Sequence, residues 1–144
     1  MVQLMVDIPD YRAAAAAITD MKVRGAPAIG VTAAYAVVLA AEEIQSDQRN
    51  EFLSRLREAG GLIAAARPTA VNLYWAVQRM LDIAISEPIL DRIRPLLLEE
   101  AQRIQDEDEQ INRQMGQAGK ELILDGGSVL THCNTGALAT SGYG

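Results

Sequence analysis

Four residues carry side chains suited to chemistry. Cys133 is the only thiol of the chain, and His132 beside it is the only histidine. Arg24 precedes Gly25-Ala26-Pro27 and a long apolar run, and Arg67 stands directly before Pro68 in Ala66-Arg67-Pro68-Thr69. Arginine offers a planar fork that grips a phosphate with two hydrogen bonds. A proline near a helix start leaves free N–H donors and a partial positive charge beside it. Gly25 allows the backbone to approach a ligand closely. Two arginines at two helix openings could converge on one anion, with Thr69 and Asn72 adding polar groups nearby. The alternative is a pair of solvated arginines beside ordinary turns, and spacing alone does not decide between them.

Cys133 closes an apolar, β-branched stretch, Val129 to His132, that reads as a short buried strand. A thiol at a strand end near a helix start is placed for reactive chemistry. The competing reading is a small buried hydrophobe. Neighbouring strand residues face opposite ways, so His132 and Cys133 do not form a catalytic pair. His132 reads as a core histidine. One histidine and one cysteine are too few soft ligands for a metal.

The elements that must position these residues are mostly helices. Val2 to Ile8 is a short apolar stretch compatible with a strand. Asp10 caps a helix from Tyr11 to about Met21 that contains five consecutive alanines. A second helix starts at Pro27, runs to about Gln45 and is apolar nearly all round, which makes it central. Ser46 or Asp47 caps a third helix with Phe52, Leu53, Leu56, Ala59 and Ile63 at helical spacing; Gly60-Gly61 weakens it and Pro68 ends it. Thr69 caps a fourth helix to about Ser86 with Leu73, Val77, Met80 and Leu81 inward. Pro88 opens a long helical segment to about Leu124, with a break expected in its charged middle, Gln105 to Gln110. Asp125 to Ser128 is a turn, and Ala137 to Thr140 opens a further helix. The fold class is therefore mostly α. A helical N-terminal domain, residues 1–126, precedes the first strand of a truncated Rossmann-like α/β domain, residues 127–144. The strand–turn–helix unit has no second strand before Gly144, so a longer protein is expected.

Composition narrows the function. The chain has 144 residues, 49% hydrophobic and only 4% aromatic, so Ala, Val, Leu and Ile build its core. The net charge of −6 excludes the basic face that nonspecific nucleic-acid binding needs. A single cysteine forms no internal disulfide, which suits a reducing, cytoplasmic setting. Met1 to Asp10 lacks the pattern of a signal peptide. Ala26 to Ala41 is shorter than the ~20 residues of a membrane span and reads as a buried helix.

Four strings then carry a resemblance: VRGAPAIGVTAAYAVVLAA, RPTAVNLYWAVQRM, DEDEQINRQMGQAGKELI and VLTHCNTGALATSGYG. In this order they resemble methylthioribose-1-phosphate isomerase, from about Val23 to Gly144. That enzyme shares its fold with ribose-1,5-bisphosphate isomerase and with the regulatory subunits of eukaryotic translation initiation factor 2B. The Arg-Gly-Ala-Pro-Ala-Ile-Gly and Arg-Pro-Thr-Ala-Val-Asn strings favour the methylthioribose branch.

The resemblance implies conversion of 5-methylthioribose 1-phosphate to 5-methylthioribulose 1-phosphate in methionine salvage, with no metal, nucleotide or other cofactor. It places substrate contacts at Arg24, Gly25, Ala26 and Arg67, and the active-site cysteine at Cys133. In the family that cysteine works opposite a proton-donating aspartate, and a glutamine and an Asn-Lys pair add substrate contacts. No residue of this chain matches those motifs, so the chain by itself is expected to be inactive. Thr135 stands where the resemblance leads one to expect alanine. The expected partner is a small sugar phosphate, with no nucleic acid and no membrane, and a homodimer is implied for the complete protein. The remaining alternatives are a ribose-1,5-bisphosphate isomerase and a non-catalytic regulatory module that binds a sugar phosphate or nucleotide.

Overall fold

Asp10 sets the start of the first helix, α1 (Tyr11–Thr19). Its extended backbone leaves the helix free to begin, and its carboxylate accepts from the backbone N–H groups of Arg12 at 2.9 Å and Ala13 at 2.8 Å. These features belong to a computed structural model that describes residues 6–144. The strand considered over Val2 to Ile8 therefore lies partly outside the described residues, and residues 6–9 form no regular element.

Four longer helices follow: α2 (Ala26–Glu43), α3 (Arg49–Ala65), α4 (Val71–Ser86) and α5 (Leu90–Gly119). α2 packs against all four others, as its apolar composition demands. Ile29, Ala33, Ala34, Val37, Ala40 and Ala41 are buried, and small alanines let the neighbouring helices approach. Phe52, Leu56 and Ile63 of α3, Leu73, Val77 and Met80 of α4, and Ile93 and Leu97 of α5 complete one continuous core. Gly60 and Gly61 do not break α3. Gly60 lies at the α3–α4 contact, where an added Cβ would come 3.2 Å from Val77 Cγ1 and 3.3 Å from Leu81 Cδ1. Gly60 serves packing, whereas a Cβ added to Gly61 would meet no atom within 4 Å.

Helix ends are closed by arginines from elsewhere in the chain. Arg94 of α5 donates to the carbonyls of Ala41 at 3.0 Å and Ile44 at 2.7 Å at the end of α2. Arg49 of α3 donates to Ile85 at 2.6 Å and Glu87 at 2.9 Å at the end of α4. Orphan carbonyls and the negative end of each helix are met together.

α5 runs without a break through Gln105 to Gln110, contrary to the expected interruption. The charged residues there are put to use. Arg79 of α4 donates to Glu100 at 2.5 Å and to both oxygens of Glu107 at 2.6 and 2.9 Å, and Tyr35 of α2 donates to Gln105 at 2.6 Å. Glu100 is buried and also receives Arg103 at 2.7 Å. These bonds give the polar run partners on two neighbouring helices.

After α5 the chain makes a short 3-10 turn, Lys120–Leu122, and then follows an irregular path. No strand forms among the described residues, so the expected strand at Val129 to His132 is not present. Val129 is 68% exposed and Leu130 98% exposed, and His132 is exposed rather than in the core. A lone extended segment has no neighbour to accept its ladder hydrogen bonds, so it cannot be a strand by itself. The helix expected over Ala137 to Thr140 is a single 3-10 turn, Ala137–Ala139.

This final segment folds back on the helices. Ala139 is buried against the start of α2. The backbone N–H of Ser141 donates to Asp108 Oδ2 at 2.8 Å, and its hydroxyl donates to the carbonyl of Gln105 at 3.1 Å. The Arg113 guanidinium sits 4.4 Å from the centre of the Tyr143 ring. The segment that carries Cys133 is thus tied to α2 and α5.

Candidate functional site

The site begins where α2 begins. Gly25 caps α2 with φ 97° and ψ 130°, a conformation that side-chain-bearing residues rarely adopt. α2 starts at Ala26, with Pro27 at its second position, and no side chain caps it. α4 begins similarly. A turn closed by Ala70 N–H to the Arg67 carbonyl at 2.9 Å leads into it, and the capping position is Ala70 rather than the expected Thr69. No side chain caps this helix either. Two helix openings with unfilled donors therefore stand beside one another.

The folded-back segment supplies the third wall. Cys133 sits at φ 68°, in the left-handed region, and is exposed. Its place is a turn rather than a strand end. The helix start beside it belongs to α2, not to the residues that follow it in the chain. Arg24, Gly25, Ala26, Arg67 and Cys133 all line one open cleft of about 260 Å³, together with Met21, Ile29, Thr69, Ala70 and Asn134. A second lobe of about 610 Å³ is lined by Lys22, Arg24, Cys133, Asn134, Thr135, Leu138 and Ala139. Arg24, Cys133 and Asn134 form the wall common to both. His132 lines neither.

The electrostatics favour an anion. The chain is acidic overall, yet neither lobe is lined by a carboxylate. Arg12, Arg55, Arg79, Arg92, Arg103 and Arg113 each pair with a glutamate. Arg24 and Arg67 have no such partner among the described residues. Among the described residues, no three His, Cys, Asp or Glu side chains group as a metal site requires.

Asn134 is the site residue that the sequence did not single out. With its carboxamide oriented by the hydrogen-bonding pattern, its oxygen accepts from Arg24 Nε and Nη2, both at 3.2 Å. The signal available in sequence is only its place beside the lone cysteine, two residues before Gly136. The partnership with Arg24 needs the fold-back of the last segment.

Chemically, the cleft can hold a compact anion between two guanidinium groups and present the rest of the ligand to a thiol. The apolar side chains of Met21 and Ile29 border the same lobe.

Comparison with known proteins identifies the family. The family model described as "Initiation factor 2 subunit family" matches residues 22–141. A methylthioribose-1-phosphate isomerase from Syntrophotalea carbinolica is 51% identical over 144 residues, covering 99% of this chain and 42% of the relative. The crystal structure of 5-methylthioribose 1-phosphate isomerase from Pyrococcus horikoshii superposes with a TM-score of 0.85 at 42% identity, covering 94% of this chain and 38% of that one. The translation initiation factor eIF-2B subunit delta from A. fulgidus gives 0.83 at 39% identity, covering 95% of this chain and 40% of that one. The chain thus spans about two fifths of the length of the relatives it matches. With the matched segment running from the loop before Arg24 to the residues that anchor the last turn, the chain belongs to the initiation factor 2 subunit family.

Proposed function

We propose that this chain forms the phosphate-gripping and thiol-bearing half of an aldose–ketose isomerase that converts 5-methylthioribose 1-phosphate to 5-methylthioribulose 1-phosphate. The observation that carries the proposal is the single cleft lined by Arg24, Arg67 and Cys133. The names of the relatives supply the substrate.

The chemistry matches what the cleft offers. The substrate is a furanose phosphorylated at its anomeric carbon, so no carbonyl exists until the ring opens. Opening requires a proton at the ring oxygen. Moving hydrogen between the first two carbons then requires an acid/base pair or a hydride route. Arg24 and Arg67 hold the phosphate and fix the sugar's pose, aided by the open N-terminus of α2 at Gly25 and Ala26. Cys133, on the wall beside Arg24, faces the reacting carbons as acid/base partner or as stabiliser of the transition state. No carboxylate lines either lobe, so the second acid/base group comes from outside this lining. In this proposal Val129 to His132 becomes the first strand of a Rossmann-like domain once a neighbouring strand is available, with the domain boundary near Gly126.

The test is an assay of ketose formation from 5-methylthioribose 1-phosphate. The purified chain alone is expected to give none, whereas the chain combined with the complementary remainder of the Syntrophotalea relative turns over substrate, and Cys133→Ser abolishes that turnover. Ribose 1,5-bisphosphate in the same assay separates the two isomerase readings. Full activity of the Cys133→Ser combination would remove the thiol from the mechanism.

A further inference from the structure

We propose that Asn134 is the positioning residue of this site: it holds the Arg24 guanidinium by one edge and leaves the other edge, still fully charged, for the phosphate. The inference rests on the reading of the Arg24–Arg67 cleft as a phosphate site, and it deepens that reading by naming what orients the fork.

Arg24 lies on an exposed loop, where a long side chain samples many rotamers. An oxyanion bound by a freely moving guanidinium must first order it. The Asn134 oxygen accepts from Nε and Nη2 at 3.2 Å, which fixes the guanidinium plane before a ligand arrives. A guanidinium has five N–H donors. Two are taken on the Nε edge, and the pair between Nη1 and Nη2 remains for a bidentate bond to phosphate. The choice of amide matters. A carboxylate at this position would hold Arg24 equally well but would cancel the charge that attracts the anion. A neutral acceptor orients without neutralising.

The placement of Asn134 is itself fixed. Ala139, further along the same segment, packs on Gly25, the residue after Arg24. Two consecutive residues of the α2 entry therefore touch the two ends of one loop, Arg24 at Asn134 and Gly25 at Ala139. The turn at Cys133 (φ 68°) lies directly before Asn134, so the contact also sets where the thiol stands relative to the phosphate fork.

The experiment is a titration of the ¹⁵N-labelled 144-residue chain with inorganic phosphate, followed at the arginine Nε–Hε resonances by NMR. It compares wild type, Asn134→Ala, Asn134→Asp, Arg24→Lys and the Arg24→Lys/Asn134→Ala double variant. Asn134→Ala is expected to weaken phosphate binding about five- to tenfold and to speed solvent exchange of the Arg24 Nε–H. Asn134→Asp is expected to weaken binding at least as much while slowing that exchange. A residue with a merely structural role would not shift the exchange rate in opposite directions in two variants that both weaken binding. In the Arg24→Lys background, which keeps the charge but lacks the fork, Asn134→Ala is expected to cost less than about twofold. If phosphate binds through Arg24 yet Asn134→Ala leaves affinity and exchange unchanged, or weakens binding equally in the Arg24→Lys background, the positioning role is overturned while the phosphate site stands. If the wild-type chain shows no phosphate-dependent shift at Arg24, the site reading and the inference fall together.

Discussion

Gly25 and Ala139 meet backbone to backbone: a Cβ added to Gly25 would lie 2.5 Å from Ala139 Cα. Gly25 also sits at φ 97°. The entry to α2 and the segment bearing Cys133 are thus fitted to each other through a residue that has no side chain. Gly25→Ala brings both a steric conflict and backbone strain of about 1–3 kcal/mol. The expected result is a lower melting temperature together with altered alkylation kinetics at Cys133, because the segment must lift away. Unchanged stability and thiol reactivity would show that the contact does not hold the segment in place.

Arg67 reaches the cleft from the turn before α4. Its removal takes away a charge-assisted contact to the anion but no ion pair among the described residues. Arg67→Ala is expected to weaken phosphate affinity roughly 10- to 100-fold, while the unfolding free energy changes by about 0.5 kcal/mol or less. Isothermal calorimetry and denaturant unfolding on the same preparation check both halves.

Cys133 is the one thiol of the chain and is exposed on the shared wall of the two lobes. Alkylation by iodoacetamide therefore reports on the cleft without interference. Phosphate is expected to slow it in proportion to occupancy in the wild type, and to protect Arg67→Ala only at a phosphate concentration roughly 10- to 100-fold higher. Protection with the same concentration dependence in Arg67→Ala would place the anion elsewhere.

Glu107 ties α5 to α4. Hydrogen bonds from Arg79 hold its carboxyl below the ordinary value of 4.5, against a smaller opposing effect of burial. A carboxyl lowered in the folded state adds stability above its ordinary value, and that contribution is lost as pH falls from there through the folded value. Its side chain is 41% exposed, so solvent screens part of the effect. The wild-type melting temperature should fall more steeply below about pH 4.5 than that of Glu107→Gln. Parallel pH profiles would show that the Arg79 pair adds nothing to folding.

The helices were legible because their signals are local. Asp10 as a cap, the alanine run of α1, the nearly all-apolar α2 and the spacing of Phe52, Leu56 and Ile63 each report on a single element. The features that depend on distant partners were not. Val129 to His132 has the composition of a strand, but no second strand lies beside it. Gln105 to Gln110 reads as a break because its polar side chains have no local partner; Arg79 and Tyr35 supply partners from other helices. The convergence of Arg24, Arg67 and Cys133 could be posed from sequence but not placed. Asn134 carries no local signal because its acceptor role exists only after the last segment folds back onto the α2 entry.

The most direct measurement of the central claim is a phosphate titration of the labelled chain read at three nuclei: Arg24 Nε–Hε, Arg67 Nε–Hε and the Cys133 amide. One anion held in one cleft predicts that all three shift along a single saturation curve, and that Arg67→Ala weakens the response at the other two together. Independent curves, or shifts at one arginine with Cys133 unmoved, would contradict a shared site.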